Sequence, residues 1–176
     1  MNTQFFKYLT FSFFLLTFST TGCVSVIKYD DIQPSNLIKP AMANTTSLAA
    51  MEEKIYQQVN QYRVSRNLPP LQLDPRISEV CRAHSKAMSE GKVPFSHQGF
   101  EQRMKILSQS IPYRSAAENI AYNLGYSEPA TQAVQGWIKS PGHRKNMEGN
   151  FNLTGVGVVQ NAKGEYYFTQ IFIRRR

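Results

Sequence analysis

The apolar residues of this chain change their spacing partway along, and that change restricts the fold more than any other feature. Met51, Ile55, Val59 and Tyr62 recur in helical steps, with Ser47 as the predicted N-cap and Pro69-Pro70 as the stop. Asp74-Pro75 opens a second helix, a cap residue followed by proline at the first helical position. Its stripe is Ile77, Val80, Cys81, His84 and Met88, and Gly91 closes it. A short helix is expected over Glu101 to Leu107, and Ser127-Glu128-Pro129 opens another that turns Ala130, Val134, Trp137 and Ile138 inward. Past Thr154 the pattern is that of strands. Thr154 to Gln160 and Glu165 to Ile173 are β-branched and aromatic runs joined by the hairpin signal Asn161-Ala162-Lys163-Gly164, and Ser115 to Tyr122 can supply a third strand. Three strands cannot bury both faces of their sheet, so helices must cover them. The expectation is an α+β fold, an α/β/α sandwich around a small, mainly antiparallel sheet.

The start of the chain speaks to compartment. Tyr8 to Phe18 is apolar or hydroxylated, with Lys7 before it and Ser19-Thr20-Thr21-Gly22-Cys23 after it, the pattern of an export signal. The run falls short of the ~20 residues that span a membrane. Gly22-Cys23 resembles the lipobox of bacterial lipoproteins, in which the cysteine is lipidated, although Thr20 stands where leucine is usual. Residues 1–22 are therefore expected to be a signal peptide, residues 23–47 a lipidated Cys23 and flexible tether, and residues 48–176 one domain. Ordinary cleavage and secretion is the alternative. With Cys23 taken by lipid, Cys81 has no partner for a disulfide and is expected to be a small buried hydrophobe.

The chain carries 20 Lys and Arg against 12 Asp and Glu. In an exported protein that excess points to anionic lipid or wall polymers, not to nucleic acid. Arg174-Arg175-Arg176 is the one dense basic run.

The candidate chemistry sits on two segments. A helix carrying Trp137 is broken by Pro141-Gly142, and His143 is expected just past the break, in a loop. Glu118 lies among small and apolar residues in Ala117-Glu118-Asn119-Ile120, and a buried acid needs a partner. His97 follows Ser96 in a loop bounded by Pro94 and Gly99, whereas His84, on an apolar stripe, reads as a packed residue with one satisfied nitrogen. Histidine with carboxylate makes a general acid/base pair or two metal ligands. The separations of His97, Glu118 and His143 fit no local ligand spacing, so the residues alone leave open whether they meet. Gly-x-Ser-x-Gly, His-Glu-x-x-His and a glycine-rich phosphate loop are all absent from the sequence.

A resemblance pairs them. Val59-Asn60-Gln61-Tyr62-Arg63, Leu68-Pro69-Pro70-Leu71, Ala83-His84-Ser85, Ser96-His97, Ala117-Glu118-Asn119-Ile120, Trp137-x-x-Ser140-Pro141-Gly142-His143-Arg144-x-Asn146, Gly155-Val156-Gly157 and Phe168-Thr169-Gln170-x-Phe172 follow in order from about Ala49 to Phe172. In this the chain resembles the CAP superfamily of cysteine-rich secretory proteins, antigen 5 and pathogenesis-related proteins, and its short bacterial SCP-domain branch in particular. The resemblance implies a central groove lined by two histidines and two glutamates, sometimes holding a divalent metal. His97, Glu118 and His143 take three of those places, with Asn119 beside them. Ser140 stands where the second glutamate belongs, which removes a negative charge.

Two readings of the cluster follow from the resemblance. His97, His143 and Glu118 form a partial zinc shell completed by water, or a hydrogen-bonded polar cluster that props the groove open. For activity, a binding module for a lipid, sterol, peptide or cell-wall ligand is preferred over a metal-assisted hydrolase, because no activated nucleophile is visible and the second glutamate is missing. The expected protein is an extracytoplasmic monomer held to a membrane by its lipid.

Overall fold

The structure, a computed structural model, describes the backbone of residues 34–176 and the side chains of residues 47–176. The expected signal peptide and Cys23 lie outside the described residues. Helix α1 (Pro34–Ser65) is followed by strand β1 (Gln72–Leu73), helices α2 (Pro75–Ser89) and α3 (Phe100–Ser108), and strand β2 (Tyr113–Asn123). Helices α4 (Pro129–Lys139) and α5 (Pro141–Met147) precede strands β3 (Leu153–Gln160) and β4 (Tyr166–Arg175). The four strands form one sheet in the order β1-β3-β4-β2, antiparallel except for the short parallel pairing of β1 with β3. The expected mainly antiparallel α/β/α sandwich is present.

Each face of the sheet has its own apolar core. On one side, Ile55 and Val59 of α1, Val134 and Trp137 of α4 and Met147 of α5 pack on Val156, Val158, Phe168 and Phe172. On the other, Ile77 and Cys81 of α2 and Met104 and Leu107 of α3 pack on Leu153, Ile171 and Ile173. The alternation along β4 sends Phe168 and Phe172 to one core and Ile171 and Ile173 to the other, as a strand must. Helix α2 lies directly on the backbone of β3. A Cβ at Gly155 would stand 2.3 Å from the Ser78 amide nitrogen, and one at Gly157 would stand 2.1 Å from that of Arg82. Cys81 is fully buried, donates to the Gly155 carbonyl at 3.4 Å, and has its thiol pushed well up by that burial.

Several ends follow the chemistry of the sequence. Asp74 caps α2 through the Arg76 amide at 3.0 Å. Gly91 takes a left-handed φ of 67° while Lys92 N–H reaches back to the Ala87 carbonyl. Asn67, at φ 58°, ends α1 in the same way, with Leu68 N–H on the Arg63 carbonyl.

Three expectations are corrected. Ser47 is not an N-cap: α1 already runs from Pro34, so residues 34–47 are helical where an irregular tether is predicted. Pro34 occupies the first helical position, where its missing N–H costs nothing, and Ala41, Met42, Leu48, Ala49 and Ala50 favour helix enough to tolerate Pro40. The strand count rises to four, because Gln72-Leu73 is too short to show a period. His143 is not in a loop. Ser140, extended at φ −86° and ψ 118°, breaks α4, and Pro141 immediately starts α5, which carries His143.

Candidate functional site

Strand β2 is an edge strand, and its free edge is closed by side chains of α4 and α5. The Trp137 indole donates to the Ile120 carbonyl at 2.9 Å, and the Asn146 amide donates to the Glu118 carbonyl at 3.1 Å. These bonds satisfy backbone acceptors that an uncovered edge would leave to water. They also fix the strand residues around Glu118. Asn119, fully buried, donates to the His143 carbonyl at 3.1 Å and accepts from Asn146 at 2.9 Å, which docks α5 on the sheet.

Glu118 points to the other side, among side chains from α2, α3 and the loop between them. His97 Nδ1 lies 3.0 Å from its Oε1. The stronger partner is Arg103, which donates Nε–H to Oε2 at 2.8 Å and Nη2–H to Oε1 at 2.7 Å. This is a two-pronged, charge-assisted pair in a buried setting. Arg103 also donates to the Gln98 carbonyl at 3.0 Å, the His97 carbonyl at 3.4 Å and His84 Nδ1 at 3.2 Å. Because arginine only donates, His84 Nδ1 must be the acceptor, and its Nε2–H is assigned as donor to the Ser96 carbonyl at 3.1 Å. Burial, followed by the Arg103 charge, holds His84 below its ordinary value, so it is neutral at pH 7. The expectation of one satisfied nitrogen understates it: both ring nitrogens are bonded.

The structure brings the rings of His97 and His143 to a centroid separation of 6.4 Å. The side chain of His97 is half exposed and that of Glu118 is 2% exposed. Burial, and then the neighbouring His97, lower the His143 value, leaving it a neutral ring. His143 and Ser140, with Asn123 and Gln132, are polar residues lining a groove of about 570 Å³. Ile120, Ala121, Ala133, Gly136 and Trp137 form its walls, and Phe95, Tyr122, Leu124 and Tyr126 stand around it half exposed. Tyr122 packs edge-on against Phe95 at 6.3 Å and against Tyr167 at 5.2 Å. His97, Glu118 and Asn119 are not among the residues lining this groove; His97 faces the His143 ring and contacts Glu118, and Asn119 bonds the His143 carbonyl.

The metal shell of His97, His143 and Glu118 implied by the resemblance does not fit this arrangement. Both Glu118 oxygens are held by a guanidinium, and among the described residues no group of three His, Cys, Asp or Glu side chains is placed to hold a metal ion. Sequence reasoning missed Arg103, although a signal existed. Phe100, Arg103, Met104 and Leu107 fall on one helical stripe, so a cation stood on an apolar face and required a buried acid.

Comparison with known proteins agrees with this architecture. The chain is 33% identical to the YkwD protein of Bacillus subtilis (strain 168), over 85% of this chain and 67% of that protein. It is 34% identical to the membrane protein YlbC of the same strain, over 84% of this chain but 42% of that protein, so it spans less than half of the latter. Among solved structures, an extracellular SCP-domain protein from Bacillus anthracis str. Ames matches at 32% identity with a TM-score of 0.58, over 72% of this chain and 41% of that one. An outer surface protein from Borrelia burgdorferi matches over 72% of this chain and 94% of that one with a TM-score of 0.63, a likeness of fold alone at 19% identity. The model of the cysteine-rich secretory protein family matches residues 56–172, and with the motifs and the sandwich described above it follows that the chain belongs to the CAP, or cysteine-rich secretory protein, family.

Proposed function

We propose that this protein is an exported, membrane-tethered binding module whose groove takes an amphipathic envelope ligand, a lipid or a sterol-like molecule. The observation that carries this reading is the groove's lining. It is chiefly apolar and aromatic, it is about 570 Å³ in volume, and beside its tyrosines the polar residues that line it are Asn123, Gln132, Ser140 and His143. Phe95, Tyr122, Leu124 and Tyr126 leave large apolar surface in water at its mouth, a clustering that monomeric domains keep for binding. An apolar body would lie against these side chains, with a hydroxyl or head group toward Ser140 and His143. The alternative is metal-assisted hydrolysis with Glu118 or a histidine as the base, and Arg103 engages both Glu118 oxygens, which weighs against Glu118 in that role.

The tether belongs to the same proposal. A lipid on Cys23 would hold the domain at a membrane surface. Arg114, Arg174, Arg175 and Arg176 enter none of the ion pairs among the described residues. The pairing of β2 with β4 gathers them at one end of the sheet, a surface suited to anionic headgroups or wall polymers.

Trp137 is the sole tryptophan and lines the groove, so its emission reports occupancy without competing signals. Titrating the full chain with dispersed phospholipids and sterols should give a saturable change in that emission. A response to soluble wall fragments alone would reassign the ligand. Cleavage of a diverse peptide pool that disappears in Glu118→Gln would overturn the non-catalytic reading.

A further inference from the structure

Arginine has five N–H donors, and in Arg103 every one is engaged inside the protein: two on the Glu118 oxygens, two on the His97 and Gln98 carbonyls, one on His84 Nδ1. The residue is 9% exposed. Phe100 covers the guanidinium from 5.9 Å. With His97 Nδ1 also on Oε1, the Glu118 carboxylate has a partner on each oxygen and a full counter-charge beside it. Any cation approaching Glu118 would have to displace a guanidinium from its hydrogen bonds and leave it buried without a counter-ion. An uncompensated buried charge is strongly destabilising.

We propose that Arg103 is the resident cation of the His97–Glu118–His143 cluster, making it a metal-independent site that meets its ligand through imidazole. The positive charge that a divalent ion would supply to this carboxylate is already present, covalently fixed. The same side chain positions His97 twice, through its backbone carbonyl and through the carboxylate that faces its ring. A carboxylate only accepts, so His97 Nδ1 is the donor in this 3.0 Å contact, and Nε2 is the ring nitrogen not turned to Glu118. The ring of His143 lies across from that of His97, 6.4 Å between centroids. Two imidazoles suit a polar group such as a hydroxyl or an amide, and with both Glu118 oxygens on Arg103 they offer a cation neither an open carboxylate nor a third ligand. His84, neutral with Nδ1 on Arg103 and Nε2 on Ser96, ties the loop that carries His97 to the same guanidinium.

Zinc serves as the probe, added to the full chain and followed by calorimetry and by the Arg103 Nε–H signal in proton–nitrogen NMR spectra. In the wild type that signal should stay in place as zinc is added, and Glu118→Gln should leave zinc affinity within about twofold. Arg103→Met, which opens the carboxylate between two imidazoles, should gain roughly tenfold in zinc affinity, and the gain should vanish in the double variant with Glu118→Gln. Arg103→Lys keeps the charge and should behave as the wild type. A wild-type Arg103 Nε–H signal that moves with zinc overturns the proposal, as does a tenfold loss of wild-type affinity in Glu118→Gln. A folded Arg103→Met without the gain overturns it equally. Should Arg103→Met fail to fold, the wild-type spectrum and Glu118→Gln still decide.

Discussion

Arg103 and His84 show how a buried polar group dictates its surroundings. The apolar neighbours of Glu118 mark it in the sequence as an acid in need of a partner, and His97 is one. The principal partner, Arg103, comes from a helix between the two, and only the pairing of α3 with β2 shows how closely they meet. His84 carries a consequence for pH. Its folded-state value is lowered by burial and by Arg103, so below about 6.5 the unfolded chain binds a proton that the native protein resists. The unfolded state then holds more protons, and stability must fall as pH drops through and below that value. His143, lowered by burial and His97, acts in the same direction. Urea unfolding of the wild type at pH 7.5 and 5.5 should therefore show a loss of stability that His84→Gln makes shallower. An unchanged slope in the variant would mean that His84 is not held neutral.

At the scale of elements, the helix starts at Asp74-Pro75 and Glu128-Pro129 and the hairpin at residues 161–164 were legible, because caps, prolines and turn residues act within a few positions. The parallel contact of β1, the restart of helix at Pro141 as α5 and the early start of α1 were not. Each depends on a partner or on propensities that a short window does not weigh. Gly155 and Gly157 show the same limit: their sequence marks a strand, while the reason for glycine is the α2 backbone lying on it. Gly157→Ala would drive a methyl to 2.1 Å from the Arg82 nitrogen and should cost roughly 3 kcal/mol or more in urea unfolding. Gly136→Ala, with nothing within 4 Å of the added carbon in mid-helix, should instead stabilise by up to about 1 kcal/mol. Equal effects at the two sites would contradict the close packing of α2 on β3.

For the whole molecule, the switch from helical to strand period foretold the sandwich, because a small sheet with two apolar faces has to be covered twice. The groove was less legible. Its lining comes from β2, α4, the start of α5 and the loops at residues 95 and 124–126, which no sequence spacing links. Among the described residues no helix is long and apolar enough to cross a membrane. The proposed tether is the lipid on Cys23. Cys23→Ser should move the protein from the membrane fraction to the soluble one. A variant that still pellets after a high-salt wash would replace the lipid with an uncleaved apolar anchor.

Binding of an amphipathic ligand in the groove beside His143 is the central claim, and Gly136 offers its most direct test. Gly136 lies on the groove wall with nothing within 4 Å of an added Cβ, so Gly136→Leu is a substitution expected to fill groove space while the fold is kept. It should unfold at no lower urea concentration than the wild type, since leucine favours helix over glycine by about 1 kcal/mol. Its affinity for dispersed lipid or sterol, read from Trp137 emission, should fall by at least about tenfold, a difference of ~1.4 kcal/mol. Undiminished binding in a folded Gly136→Leu would place the ligand elsewhere and contradict the account.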